Sequence, residues 1–171
     1  DVNGMIQLFG GKEEFVAALD DIFNTDAEIH GNLVDITGLI GQYVHGNEPS
    51  HHIAYLYNYV GEPWKTQKMS RRLLNEMYHP TPEGIIGNED CGQMSAWYIL
   101  SSMGLYSVCP GSNEYVLTTP LFEKVVVHLA NGRTLTILAN DPQKNIYITK
   151  VELNGKQIDT NFITYDCLMG G

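Results

Sequence analysis

The spacing of apolar residues changes at Pro110-Gly111, and that change limits the folds open to this chain. Before it, apolar residues recur every three or four positions, as in Phe15, Leu19, Ile22 and Phe23. That period lines one face of a helix, and the preceding Lys12-Glu13-Glu14 puts acid at the positive end of its dipole. After it, the period falls to two, and residues 115–118, 124–129, 134–138, 146–153 and 162–165 read as strands. Asn131-Gly132 and Asn154-Gly155 read as type I′ hairpin turns, which need positive φ at both positions. The order is segregated, so the expected class is α+β: helices over residues 1–111, then a small antiparallel β region over 112–171.

Within the helical part, a turn-rich stretch holds Gly31, Gly38, Gly41 and Gly46. Residues 49–60 then read as one helix, opened by Pro49 and stopped by Gly61. Pro63 opens a second that runs to Tyr78, and a third is expected from about Cys91 to Met103, ended by Gly104.

Several functions fall on charge and motif. Ten Lys and Arg against twenty Asp and Glu give a formal charge of −10, which repels phosphate backbones and suits cations or neutral sugars. The longest apolar runs, such as residues 124–128, fall far short of the ~20 residues of a membrane span. The first five residues do not read as a signal peptide. Cys91, Cys109 and Cys167 lack metal-ligand spacing and cannot all pair internally, which leaves the redox compartment open. Neither a GxxxxGK[ST] loop nor GxGxxG occurs. With no initiator Met and an end just after a strand-like run, the chain is expected to be a piece of a longer polypeptide.

Two polar, glycine-bounded segments precede apolar helices: Val44 to His52, and Gly84 to Gln93. Glu48 reads either as a first-turn acid complementing a helix dipole or, with the Asn47 amide, as part of a hard-cation site. Two oxygen donors alone do not make such a site. Adjacent histidines point apart on a helix, so at most one of His51 and His52 faces the cleft of Glu48; the HExxH spacing of zinc sites is absent. Glu89 and Asp90 read either as helix-capping acids, with Asp90 the cap, or as a source of one ionised general base acting on water. Trp64 is the best-placed aromatic for stacking on a sugar, with core packing an equal reading.

These residues, with Pro63-Trp64-Lys65-Thr66-Gln67, the stretch Gly87 to Tyr98, Met103 to Tyr106 and Cys109 to Gly111, closely resemble glycoside hydrolase family 92, in order along the whole chain. Members are calcium-dependent, inverting exo-α-mannosidases common in gut Bacteroides. The resemblance implies the last helices of an (α/α)6 barrel followed by trailing strands, with a β-sandwich earlier in the intact enzyme. It assigns Asp90 as the general base, Asn47 and Glu48 as calcium ligands, and Asn88, His51 and Trp64 to substrate binding. Many relatives carry Asp where this chain has Asn88, so that position is left with hydrogen bonding alone. The general acid of the family lies upstream of these residues. The implied partners are mannose-containing glycans, α-1,2-linked ends first, and the missing N-terminal part of the same polypeptide. The implied location is periplasmic, secreted or cell-surface, and the segment by itself is expected to be inactive. A non-catalytic carbohydrate- or calcium-binding module is the alternative.

Overall fold

The computed structural model describes residues 1–28 and 36–170, so Gly31 and Gly171 lie outside the described residues. Two helices open the chain, α1 (Val2–Leu8) and α2 (Lys12–Asn24). The Asp1 carboxylate caps α1 by accepting the Gly4 N–H at 2.9 Å. α1 carries a short apolar stripe of its own, with Ile6 buried and Val2 and Met5 packed beside it on the core. α2 has the expected one: Phe15, Leu19 and Phe23, at four-residue steps, are all buried.

The turn-rich stretch contains a two-residue hairpin, β1 (Leu39–Ile40) and β2 (Tyr43–Val44). Its turn is pressed against the end of α2, where the Gln42 N–H donates to the Ile22 carbonyl at 2.7 Å. Gly41 adopts φ +59° there, and a Cβ on it would lie 2.6 Å from the Ile22 oxygen.

Residues 49–60 do not form one α-helix. They wind as two 3-10 segments, Glu48–Ser50 and Ile53–Val60. The second buries Ala54, Tyr55, Leu56, Tyr57, Asn58 and Val60, so it runs through the core with no polar face. Its tyrosines must also reach three different elements: Tyr55 bonds Ser101, Tyr57 bonds Asp20 and Tyr59 bonds Glu114. Tertiary partners therefore decide the winding of this segment.

α3 (Pro63–Glu76) follows as expected. α4 (Gln93–Ser102) starts two residues later than its apolar pattern suggests. Asp90, Cys91 and Gly92 have φ of +47°, +58° and +90°, which is left-handed backbone and cannot belong to the helix. Gly104, at φ +82°, follows the end of α4.

The β part is three separate antiparallel pieces, its strands shorter than their patterns. β3 (Leu105–Tyr106), β4 (Glu114–Leu117) and β9 (Phe162–Thr164) form one sheet in the order β3-β4-β9. β5 (Lys124–His128) pairs with β6 (Thr134–Leu138), and β7 (Val151–Leu153) with β8 (Lys156–Ile158). A short helix, α5 (Tyr165–Gly170), follows β9. Residues 146–150 make no strand, because side chains take their backbone groups: Gln67 Oε1 accepts the Ile148 N–H and the Thr119 hydroxyl donates to the Ile146 carbonyl. Asn154 and Gly155, at φ +50° and +76°, make the expected type I′ turn. At residues 131–132 only Gly132 has positive φ, and its N–H donates to the Leu129 carbonyl, so that loop is a three-residue turn.

The chain is thus a mixed α+β structure in which the helices share a core with the β3-β4-β9 sheet, while β6 and β7 pack on a second, smaller cluster around Leu105, Ile163 and Leu168. Tyr106 and Val116 join Phe15, Phe23, Tyr55, Leu73 and Trp97, and the Tyr55 and Tyr106 rings stack at 4.2 Å. No described helix is long and apolar enough to cross a membrane.

Gly41→Ala should destabilise the protein by roughly 2–4 kcal/mol, because it combines a left-handed backbone with a clash that rigid backbone cannot relieve. Gly61→Ala, at φ +85° with open space around it, should cost only about 1–2 kcal/mol. Urea unfolding of the two variants checks the difference.

Candidate active site

Two backbone segments approach so closely at Gly46 and Gly87 that neither residue has room for a side chain. A Cβ on Gly87 would lie 2.8 Å from Gly46 Cα, and one on Gly46 would meet the Thr37 hydroxyl. This contact brings the loop carrying Asn47 and Glu48 against the loop carrying Asn88, Glu89 and Asp90.

Across that junction the carboxyls of Glu48 and Asp90 share a hydrogen bond. The Glu48 carboxyl is held below its usual range, first by its own backbone N–H, then by the Asp90 carboxyl, with the nearby His51 ring adding to both. Asp90, Glu89 and Asn88 are exposed, whereas Asn47 and Glu48 are half-buried. Two carboxyls this close need a proton or a cation between them. Asn47, next to Glu48 in the same loop, offers an amide oxygen, so the candidate donors are all hard oxygens, which fits calcium or magnesium better than zinc. Among the described residues no three His, Cys, Asp or Glu side chains converge as a metal-binding group. A cation here would therefore draw its remaining oxygens from main chain, water or ligand.

Asp90 does not cap α4. Glu89 does that work, its two oxygens accepting the Ser95 N–H at 3.0 Å and the Ser95 hydroxyl at 2.8 Å. Asp90 sits instead on the left-handed turn before the helix, a conformation that costs a non-glycine residue about 1–3 kcal/mol and that clusters at functional sites.

Beneath the loops lies a buried polar network. His51 is buried, and its Nε2 lies 2.9 Å from the His45 carbonyl oxygen. A carbonyl only accepts, so the ring proton is on Nε2 and Nδ1 is an acceptor, which the Gln93 side-chain amide meets at 3.3 Å. The His51 carbonyl accepts the Trp97 indole N–H at 3.1 Å. The His45 ring lies between two phenols, with Tyr43 Oη 2.9 Å from Nδ1 and Tyr78 Oη 2.8 Å from Nε2. Tyr78 donates to the Met94 carbonyl at 3.2 Å, so it accepts from His45 Nε2 and Tyr43 donates to Nδ1. Burial, with His51 nearby, pushes the His45 pKa down to about 3, so the relay is neutral.

The remaining sequence candidates divide. His52 is half-buried, with its pKa lowered by burial. Trp64 is the second residue of α3 and is 46% exposed. Its indole N–H donates to Glu62, and the Lys65 ammonium sits 5.6 Å from its ring. Trp64 thus belongs to a surface group with Glu62, Lys65 and Asp20, and the structure does not bring it to Asp90. The sequence reading overlooked His45, Gln93, Tyr43 and Tyr78. For His45 and Gln93 the available signal was their place inside the two polar segments.

Gly87→Ala should separate the two loops, giving a loss of any Glu48- and Asp90-dependent activity that exceeds its loss of stability; kinetics and melting of one preparation test this. His45 also sets a pH dependence. Its folded pKa lies below the ordinary 6.5, so the unfolded chain binds the proton first as pH falls. The His45 contribution is complete above about pH 6.5 and declines towards about pH 3, by up to ~1.4 kcal/mol per pH unit. His51 and His52, lowered by burial, act in the same direction. His45→Phe should remove about one proton from the acid-side slope of unfolding free energy against pH, whatever it costs at neutral pH.

The family model for the glycosyl hydrolase family 92 catalytic domain matches residues 1–171. A protein of Arthroderma benhamiae named an uncharacterized secreted glycosidase is 31% identical over 175 residues, covering 100% of this chain and 21% of its own length. The solved structure of a family GH92 α-mannosidase from Bacteroides thetaiotaomicron is 44% identical, with a TM-score of 0.89 over 98% of this chain and 22% of that one. A family GH92 inverting mannosidase from the same organism is 39% identical, with a TM-score of 0.84 over 100% of this chain and 25% of that one. The chain therefore spans about a fifth to a quarter of the length of these relatives, and it belongs to glycoside hydrolase family 92.

Proposed function

We propose that this chain is part of an α-mannosidase that releases terminal mannose from mannose-containing glycans with inversion, and that Asp90 is its general base. The observation that carries the reading is an exposed Asp90 carboxyl, on a strained turn, facing Glu48 across the Gly46–Gly87 junction. Relatives described as an α-mannosidase and an inverting mannosidase support the substrate and the stereochemistry. The helices take their place in an (α/α)6 barrel, with the β pieces trailing it. The relative named as a secreted glycosidase favours a location outside the cytoplasm, as glycan substrates do.

In this reading Asp90 accepts a proton from the water that attacks the anomeric carbon. Glu48 cannot be the acid partner. Inverting enzymes hold their two carboxyls ~6.5–9.5 Å apart to admit that water, and Glu48 touches Asp90. Glu89 is bound up with Ser95. The family resemblance places the acid in polypeptide before these residues, and on that ground the segment alone is expected to be inactive. Asn47 and Glu48 hold calcium through hard oxygens. When bound, calcium supplies a positive template for sugar hydroxyls. Asn88, exposed beside Asp90, donates to or accepts from a sugar hydroxyl. His51 acts from below, and Trp64 lies outside the pocket. α-1,2 linkage is the first to test.

In the full-length protein, Asp90→Asn should lower kcat on an aryl α-mannoside by about 10²–10⁴-fold with the melting temperature nearly unchanged. Proton NMR of the first product should show β-mannose, and chelation of calcium should remove activity that added calcium restores. A kcat within a few-fold of wild type would take Asp90 out of the role of base.

A further inference from the structure

We propose that Gln93 is a positioning residue that holds Asp90 against Glu48, and this rests on the hydrolase reading of that pair. Four residues close a ring of hydrogen bonds. The Gln93 backbone N–H donates to the Asp90 carbonyl at 3.2 Å. The Gln93 side-chain amide donates to His51 Nδ1 at 3.3 Å. The His51 backbone N–H donates to the Glu48 carbonyl at 3.0 Å. The carboxyls of Glu48 and Asp90 complete the circuit.

The ring specifies its residue types. His51 Nε2 gives its proton to the His45 carbonyl, which leaves only a lone pair at Nδ1. The residue at position 93 must therefore be a donor of this length. A Glu there has no proton to give, and an Asn falls about one methylene short. Gln93 is also the first residue of α4, so the side chain that meets His51 belongs to the residue that pins the left-handed turn at Asp90 and Cys91. That turn has two further backbone ties to the helix, the Met94 N–H to the Glu89 carbonyl at 3.3 Å and the Ala96 N–H to the Gly92 carbonyl at 2.9 Å; the Gly46–Gly87 contact sets the approach of the two loops, and Gln93 adds a side-chain link across it.

A bond of 3.3 Å is long and adds little to stability. Its value lies in orientation, where an error of about 1 Å can cost about 10²-fold in rate. The rival reading is that Gln93 merely fills space at the helix start.

The test uses the full-length protein with Gln93→Met, which keeps length and removes the donor, and with His51→Met, which removes the Nδ1 acceptor. Gln93→Met should lower kcat on an aryl α-mannoside by about 10- to 100-fold while leaving KM within about threefold and Tm within a few degrees. In the His51→Met background, adding Gln93→Met should change kcat less than twofold, because the bond is already gone. A kcat near wild type for Gln93→Met, or losses that multiply in the double variant, would overturn the proposal. If the wild-type protein does not cleave the mannoside, the hydrolase reading fails separately, and crystal structures decide on Gln93. An Asp90–Glu48 contact present in wild type and lost in Gln93→Met supports positioning, and one retained in both refutes it.

Discussion

The candidate site depends on one close approach of main chain to main chain, at Gly46 and Gly87. Any side chain on Gly87 would meet the Gly46 backbone. Residues two or three positions from each glycine are thereby forced to face one another, among them Glu48 and Asp90. Both segments are then anchored below by the Trp97 indole, which is buried and bonds the His51 carbonyl. The contact is steric, so it needs no charge, ligand or salt-sensitive attraction to form. It can hold two acidic groups together that would otherwise move apart.

What lies under those acids is polar yet uncharged. Tyr43, His45, Tyr78 and the Met94 carbonyl form a chain in which each proton has one assignable direction. A protonated imidazole at His45 would break that order, since both ring nitrogens would donate and Tyr43 would lose its acceptor. Burial excludes the charge and so fixes the direction of the chain. The stacked Tyr78 and Trp97 rings, 3° from parallel, fill the space around it. A fully satisfied neutral network can lie under an acidic cleft without competing for its ligands, where a buried cation would draw the carboxylates inward.

Much of this was legible in the residues. Apolar period placed α2, α3 and α4, and the Asn154-Gly155 turn followed from the need for positive φ. The polar loops stood out because carboxylates and amides gathered between glycines. The misses have physical causes. The 3-10 winding of residues 53–60 is set by tyrosine partners on three other elements, none of them local. Residues 146–150 carry strand-forming side chains, yet Gln67 and Thr119 claim their backbone. Trp64 stood near His51 in sequence, but its indole turns to Glu62 and Lys65 at the start of α3. The Gly46–Gly87 contact pairs glycines 41 positions apart, and no local pattern marks which distant glycines will meet.

The division of labour between Glu89 and Asp90 follows from what a helix start demands. The first N–H groups of α4 have no intrahelical partners and attract any nearby carboxylate. An acid placed as the cap would spend its oxygens on them, as Glu89 does on Ser95. A base for water must keep an oxygen lone pair free of such bonds. The left-handed turn at Asp90 and Cys91 swings the second acid out of line with the helix axis and towards Glu48. The backbone strain is the cost of that separation, and Glu89, by satisfying the helix, is what leaves the Asp90 carboxyl available to Glu48.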